Sequence, residues 1–152
     1  QVIGGELAYT GRSKQPGVEY RYFADVNALA EWSEMLVVSC PYTPETHHLV
    51  DKSVIEALGP SGVLINIARG AIVDEQALTD ALSSGALLSA GLDVFEFEPK
   101  VPAALVDNDR TVVLPHIGSA TDATRRRMWQ HMVEVLLAHF DLPAVVWETV
   151  AA

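Results

Sequence analysis

Four apolar runs of this chain end in residues whose types can do chemistry. Cys40-Pro41 follows Met35–Ser39, and Ala68-Arg69-Gly70 follows Val63–Ile67. Asp93, Glu96 and Glu98 lie within and after Ser89–Phe95, and Pro115-His116 follows Thr111–Leu114. An arginine, a carboxylate and a histidine gathered in one cleft can hold an anion and move a proton near neutral pH. Each also has a plain alternative. Arg69 could be a surface loop cation, Glu98 a solvated turn residue before Pro99, and His116 a hydrogen-bonded strand-end histidine. Taken singly, the plain readings prevail. Convergence requires the four runs to be parallel strands, because ligands of open α/β sheets bind beyond the carboxyl ends of the strands.

The segments between the runs supply that requirement. Glu6–Thr10 reads as a short strand, and 11–23, with Pro16 and Gly17, as loop. Asp25 caps a helix to about Trp32, Asp51 one to Leu58 stopped by Gly59-Pro60, and Asp74 one to about Ser84 ended by Gly85. Residues 96–110, with Pro99 and Pro102, read as a connection. Ser119 or Thr121 caps a long helix to about Phe140, on which Met128, Met132, Leu136 and Phe140 recur at four-residue steps as one apolar face. Arg125–Arg127 reads as a solvated first turn or a contact to a neighbouring acidic surface. The strand runs are continuously hydrophobic, which predicts burial on both faces. Alternating β and α units predict an α/β fold with a Rossmann-like, doubly wound parallel sheet.

The 152 residues fit one domain, and at 49% hydrophobic they can form a core. The formal net charge of -10 argues against general binding to nucleic acid or anionic membranes, though local cations can still hold a small anion. No run is long and apolar enough to span a bilayer. The single cysteine, Cys40, excludes a disulfide framework within the chain and a Cys-rich zinc site. It fits a reducing compartment, and a cytoplasmic location is the expectation. Cys40 reads as a packing or lining residue rather than a nucleophile, since no base is evident nearby in sequence. His47 and His48 are adjacent, lack a partner at metal-ligand spacing and read as loop residues, so no metal site is expected.

Three long motifs in order carry a resemblance. Ile65-Asn66-Ile67-Ala68-Arg69-Gly70, Gly91-Leu92-Asp93-Val94-Phe95-Glu96-Phe97-Glu98-Pro99 and Leu114-Pro115-His116-Ile117-Gly118-Ser119-Ala120-Thr121 are similar to the arginine, acidic and histidine motifs of the D-isomer-specific 2-hydroxyacid dehydrogenases. Pro41-Tyr42-Thr43-Pro44-Glu45-Thr46 resembles the loop before the first of them. The resemblance implies hydride transfer between a nicotinamide ring and the carbonyl carbon of a 2-oxoacid. It makes His116 the general acid for reduction and the base for oxidation. Glu98 would orient the imidazole and favour its protonated form. Arg69 would hold the substrate carboxylate in a fork that lysine lacks. Asp93 matches an aspartate near the nicotinamide carboxamide, with a structural strand-end carboxylate as the alternative. On the same ground the cofactor-binding residues are Arg12, Ser13, Cys40, Pro41, Thr46, Ile67, Ala68, Arg69, Asp93, His116, Gly118 and Ser119.

Members that prefer NAD usually carry an acidic residue after the second strand. Here Tyr9 is followed by Thr10-Gly11-Arg12-Ser13-Lys14, without a carboxylate. Arg12, Ser13 and Lys14 could hold the 2′-phosphate of NADP, or form a turn with exposed cations. NADP is therefore expected over NAD. This stretch and the histidine motif resemble the glyoxylate and hydroxypyruvate reductase branch most closely. Phosphoglycerate and lactate dehydrogenases of the same family stay open as alternatives, as do its dinucleotide-sensing corepressors or a non-catalytic remnant. The resemblance also implies a homodimer.

Residues 1–121 read as a partial dinucleotide-binding domain, and 122–152 as a C-terminal helix and tail returning towards a substrate domain. The glycine loop and first strand of such a domain are not found. Gly4-Gly5 is too short for the loop, and residues 1–5 resemble the end of the helix that follows it. The expectation is a truncated product, a fragment or part of a longer chain. Such a chain is expected to carry an open edge or gap in the sheet, to fold marginally alone or depend on partner chains, and to show very low or no dehydrogenase activity by itself.

Overall fold

The computed structural model describes residues 5–145. Residues 1–4, and with them most of the helix end expected at 1–5, lie outside the described residues, as does the end of the expected tail. The chain forms two compact units, the first ending at Pro115 and the second beginning at His116.

The first unit alternates strand and helix. Its elements run β1 (Ala8–Thr10), β2 (Arg21–Phe23), α1 (Val26–Trp32), β3 (Met35–Val38), α2 (Lys52–Leu58), β4 (Val63–Asn66), α3 (Glu75–Ser84), β5 (Ser89–Leu92), α4 (Ala103–Val106) and β6 (Thr111–Val113). Every strand pair is parallel, which makes this an α/β fold of the Rossmann-like kind. The strands form two separate sheets, β1-β2 and β3-β4-β5-β6, so the domain is partial. β1 and β3 each keep one edge without a ladder among the described residues.

The helices start where the sequence places them. Asp25 accepts from Ala28 N, Asp51 from Ser53 N and Val54 N, and Asp74 from Ala77 N, each satisfying amides that have no partner inside the helix. α3 ends at Gly85 in the left-handed region, where a side chain would be strained. Residues 11–23 are not all loop. Arg21–Phe23 pairs with Ala8–Thr10, and the Arg21 guanidinium lies 4.6 Å from the Phe23 ring. The connection at 96–110 also holds an element, α4, which buries Leu105.

The core lies between α1–α3 and one face of the larger sheet. Leu36, Val38, Leu64, Ala90 and Leu92 meet Ala30, Val54, Ile55, Leu78 and Leu82 there, each fully buried Leu or Ile contributing about 1.5–3 kcal/mol. The other face is open: Met35 and Val37 are 49% exposed and Val112 65%. This corrects the expected burial on both faces. A continuous apolar run states that both faces are apolar, not that both are covered.

In the second unit, α5 spans Asp122–His139. Thr121, not Ser119, is its cap, accepting from Thr124 N. Arg125, Arg126 and Arg127 are exposed, as a solvated first turn should be. The four-residue periodicity is real, yet α5 buries none of its residues, and Met128 and Phe140 are about 60% exposed.

Candidate active site

Strand register brings the chemistry to one edge. Val38, Asn66, Leu92 and Val113 form one row of partners across β3 to β6. Because the strands are parallel, whatever follows that row leaves the sheet on the same side. Cys40 comes two residues after it, Arg69 three and Asp93 one. Leu114 N donates to Leu92 O at 2.8 Å, and two residues on His116 opens the second unit.

Asn66 builds the turn that delivers Arg69. Its side chain is buried at the end of an apolar strand, which is costly unless both ends of the amide are bonded. Both are: its Nδ2 donates to Arg69 O at 3.0 Å, and its Oδ1 accepts from Ala68 N at 3.1 Å. Arg69 is exposed, with Nη1 donating to Ala68 O at 2.6 Å. Gly70 then runs against the backbone after β5, leaving no room for a Cβ, which would stand 1.9 Å from Phe95 C. That neighbouring loop folds on itself, since Glu98 Oε1 accepts from Phe95 N at 3.0 Å. Glu96 N in turn donates to Glu75 Oε2 at 3.0 Å, fixing the loop to the start of α3.

These loops enclose a cleft of about 870 Å³. Cys40, Pro41, Ile67, Ala68, Arg69 and Glu98 line it, joined by Ser39, Tyr42, Gly70, Ala71, Phe95 and Glu96.

A family model, the D-isomer specific 2-hydroxyacid dehydrogenase, NAD binding domain, matches residues 1–118. The chain belongs to this family. Among its relatives, hydroxyphenylpyruvate reductase of Plectranthus scutellarioides is 52% identical over 135 residues, covering 89% of this chain and 43% of the relative. A glyoxylate/hydroxypyruvate reductase A of Arabidopsis thaliana is 51% identical over 89% of this chain and 43% of its own length. Among solved structures, an NADPH-dependent glyoxylate/hydroxypyruvate reductase of Sinorhizobium meliloti, in complex with NADP and malonate, superposes with a TM-score of 0.88. It is 42% identical, over 91% of this chain and 44% of that one. The chain thus spans less than half the length of these relatives.

Not every residue that the 2-hydroxyacid dehydrogenase resemblance marks for the cofactor reaches this cleft. The Thr46 hydroxyl accepts from Thr43 N at 2.7 Å and faces Pro41 O at 3.0 Å, so it staples the loop that presents Pro41. Asp93 is buried below the edge and does not line the cleft. Arg12 and Ser13 lie exposed after β1, in a turn pinned by Gln15 N on the Tyr9 hydroxyl at 2.8 Å and by Tyr22 Oη on Gly11 O at 3.0 Å. Hydrogen bonds from the Thr43 hydroxyl and the backbone hold the Glu45 carboxyl below its ordinary range, and the field of Arg12 adds a smaller part. His116, Gly118 and Ser119 belong to the second unit, where His116 takes a left-handed φ of 56°. A bulky residue holds that conformation at a cost, and such strain gathers at functional positions.

Burial pushes the Cys40 thiol up, away from the thiolate, which suits a lining residue better than a nucleophile. Sequence reading passed over Asn66, Gly70 and Glu75 as working residues. The amide at the end of an apolar strand and the glycine after Arg69 were the available signals for the first two. Glu75 had none, because its partner lies 21 residues away in the chain.

Glu75 carries a pH dependence of its own. Burial raises its carboxyl above the ordinary 4.5, and the Glu96 charge adds to the rise, against the lowering bond from Glu96 N. The folded state therefore holds a proton that the unfolded state has released. Stability falls as pH rises from the unfolded value through the raised one. Glu75→Gln keeps an acceptor for Glu96 N and removes the charge. In melting curves across mildly acidic to neutral pH, this variant should flatten that slope and melt no lower than the parent at pH 7. A parent slope of the opposite sign that Glu75→Gln abolishes would sink the argument.

Proposed function

We propose that this chain is the cofactor-binding and proton-transferring part of an NADP-linked reductase that converts a 2-oxoacid, such as glyoxylate or hydroxypyruvate, to a D-2-hydroxyacid. The observation that carries the reading is the meeting of Arg69 and Glu98 in one cleft at the carboxyl edge of a parallel sheet. The residues present fit a dinucleotide. Ile67, 56% exposed, and the small Ala68 give the edge an apolar patch suited to a planar ring. Arg12 and Ser13 lie exposed in the turn after β1, where a 2′-phosphate would compete with Glu45 for the Arg12 charge.

When bound, the nicotinamide supplies the hydride. The chain's own residues do the rest. Arg69 grips the substrate carboxylate through two parallel N–H bonds and sets the ketone in one orientation. His116 gives the ketone oxygen its proton in reduction and takes it back in oxidation. Glu98 stands in the cleft as the carboxylate that the 2-hydroxyacid dehydrogenase resemblance assigns to orienting a catalytic imidazole. The partners are small oxoacids and a second copy of the protein, in the cytoplasm.

The test is reduction of glyoxylate and hydroxypyruvate with NADPH and NADH, by this chain and by a form extended upstream through a glycine-rich loop. The extended protein should prefer NADPH by roughly 10–100-fold, the worth of one charge-assisted bond to phosphate. Arg12→Ala should erase that preference. Dinucleotide binding without turnover on any of a broad panel of 2-oxoacids would replace the reductase with a sensor.

A further inference from the structure

We propose that His47, His48 and Glu96 form a binding site for a divalent transition-metal cation of the zinc class. This site does not depend on the reductase reading. One ligand atom from each of the three side chains lies within 4.8 Å of the others. Half of the arrangement is already fixed. His48 Nε2 stands 3.0 Å from Glu96 Oε1, and the backbone N of His48 donates to Ala71 O at 2.9 Å. The Glu96 side chain is only 13% exposed, so its carboxylate is held rather than free to drift into solvent.

His47 is the adjustable member. Its ring stacks on that of His48 with centroids 4.0 Å apart and planes 20° apart. Stacked rings point their lone pairs along nearly parallel lines, so one ion serves both only after one ring turns. His47 is exposed, and turning it breaks the stack on His48 and shifts an edge-on contact with Tyr42, whose ring centroid lies 6.2 Å away.

Ligand type points to the occupant. Two imidazoles and one carboxylate suit zinc, cobalt or nickel, whereas calcium and magnesium require sets of oxygen ligands. Three protein ligands also leave a fourth tetrahedral position for water.

The site would have a mechanical consequence. It ties the loop after β3 to the loop after β5, and Glu96 lines the same cleft as Glu98. A bound ion would hold those two walls together.

The experiment is titration of the full-length protein carrying these residues with Co²⁺, read by its visible ligand-field absorption, and thermal melting with and without Zn²⁺. The expected result is one Co²⁺ per chain with the intense bands of four-coordination, and a melting temperature raised by Zn²⁺. His47→Ala, at an exposed position, should leave the unliganded melting temperature unchanged and weaken Co²⁺ binding by at least about tenfold, since losing even an outer-shell partner costs about 10–100-fold. Glu96→Gln should weaken it similarly. His131→Ala, on α5, serves as the control for casual histidine binding and should bind as the parent does. Absence of the bands and of the Zn²⁺ shift in the parent overturns the proposal. So does equal Co²⁺ affinity in His47→Ala and His131→Ala.

Discussion

With His116 replaced by asparagine, 2-oxoacid reduction by the upstream-extended protein should fall by about 10²–10⁴-fold, the usual contribution of a positioned proton donor. Asparagine is the informative substitute because His116 sits at φ 56°. Outside glycine, asparagine is among the residues that tolerate this left-handed conformation best, so the backbone stays where it is. The amide keeps polar atoms near the same place but cannot exchange a proton with the ketone oxygen. The loss should fall on kcat. In the proposed function substrate affinity rests on Arg69, whose turn is held separately by Asn66, so KM should move little. Turnover close to the parent's in a variant that still binds dinucleotide would remove His116 from the proton path.

What could be read in advance follows from the range of each interaction. The caps at Asp25, Asp51 and Asp74 are contacts over two or three residues, and all three stand where the sequence places them. The cleft was legible one step less directly. Parallel strands in register send the residues after Val38, Asn66 and Leu92 to a common edge, so recognising the strands placed Cys40, Arg69 and Glu98 together. Contacts that depend on distant partners were not legible. Arg21–Phe23 is three residues long and becomes a strand only by pairing with Ala8–Thr10. His48 reads as a loop residue until a loop 48 positions away brings Glu96 to it. The apolar faces of β3 and α5 mislead in another way. Periodicity reports that Met35, Val37, Met128 and Phe140 share apolar faces, and says nothing about what covers them.

Gly70→Ala should be the most damaging single-methyl change in the first unit. A Cβ there would lie 1.9 Å from Phe95 C, 2.1 Å from Phe95 O and 2.3 Å from Glu96 N, all backbone atoms that cannot rotate aside. One of two walls must then move. Pushing the loop after β5 outward breaks the bond from Glu96 N to Glu75 or that from Phe95 N to Glu98. Pushing the Gly70–Ile72 turn the other way lifts Ile72 out of the core and strains His48 N–Ala71 O and Val50 N–Ile72 O. Overpacking against a side chain costs about 1–3 kcal/mol. Against backbone on both sides the cost should sit at or above the top of that range, a large share of the roughly 5–15 kcal/mol that holds a domain folded. Melting should drop by about 10 °C on the usual scaling for chains of this size. Gly11→Ala is the matched control. Its Cβ would meet nothing within 4 Å, so its melting point should match the parent's. If Gly70→Ala also melted with the parent, the close approach of the Arg69 turn to the Glu98 loop would be wrong, and with it the placement of both side chains in one cleft.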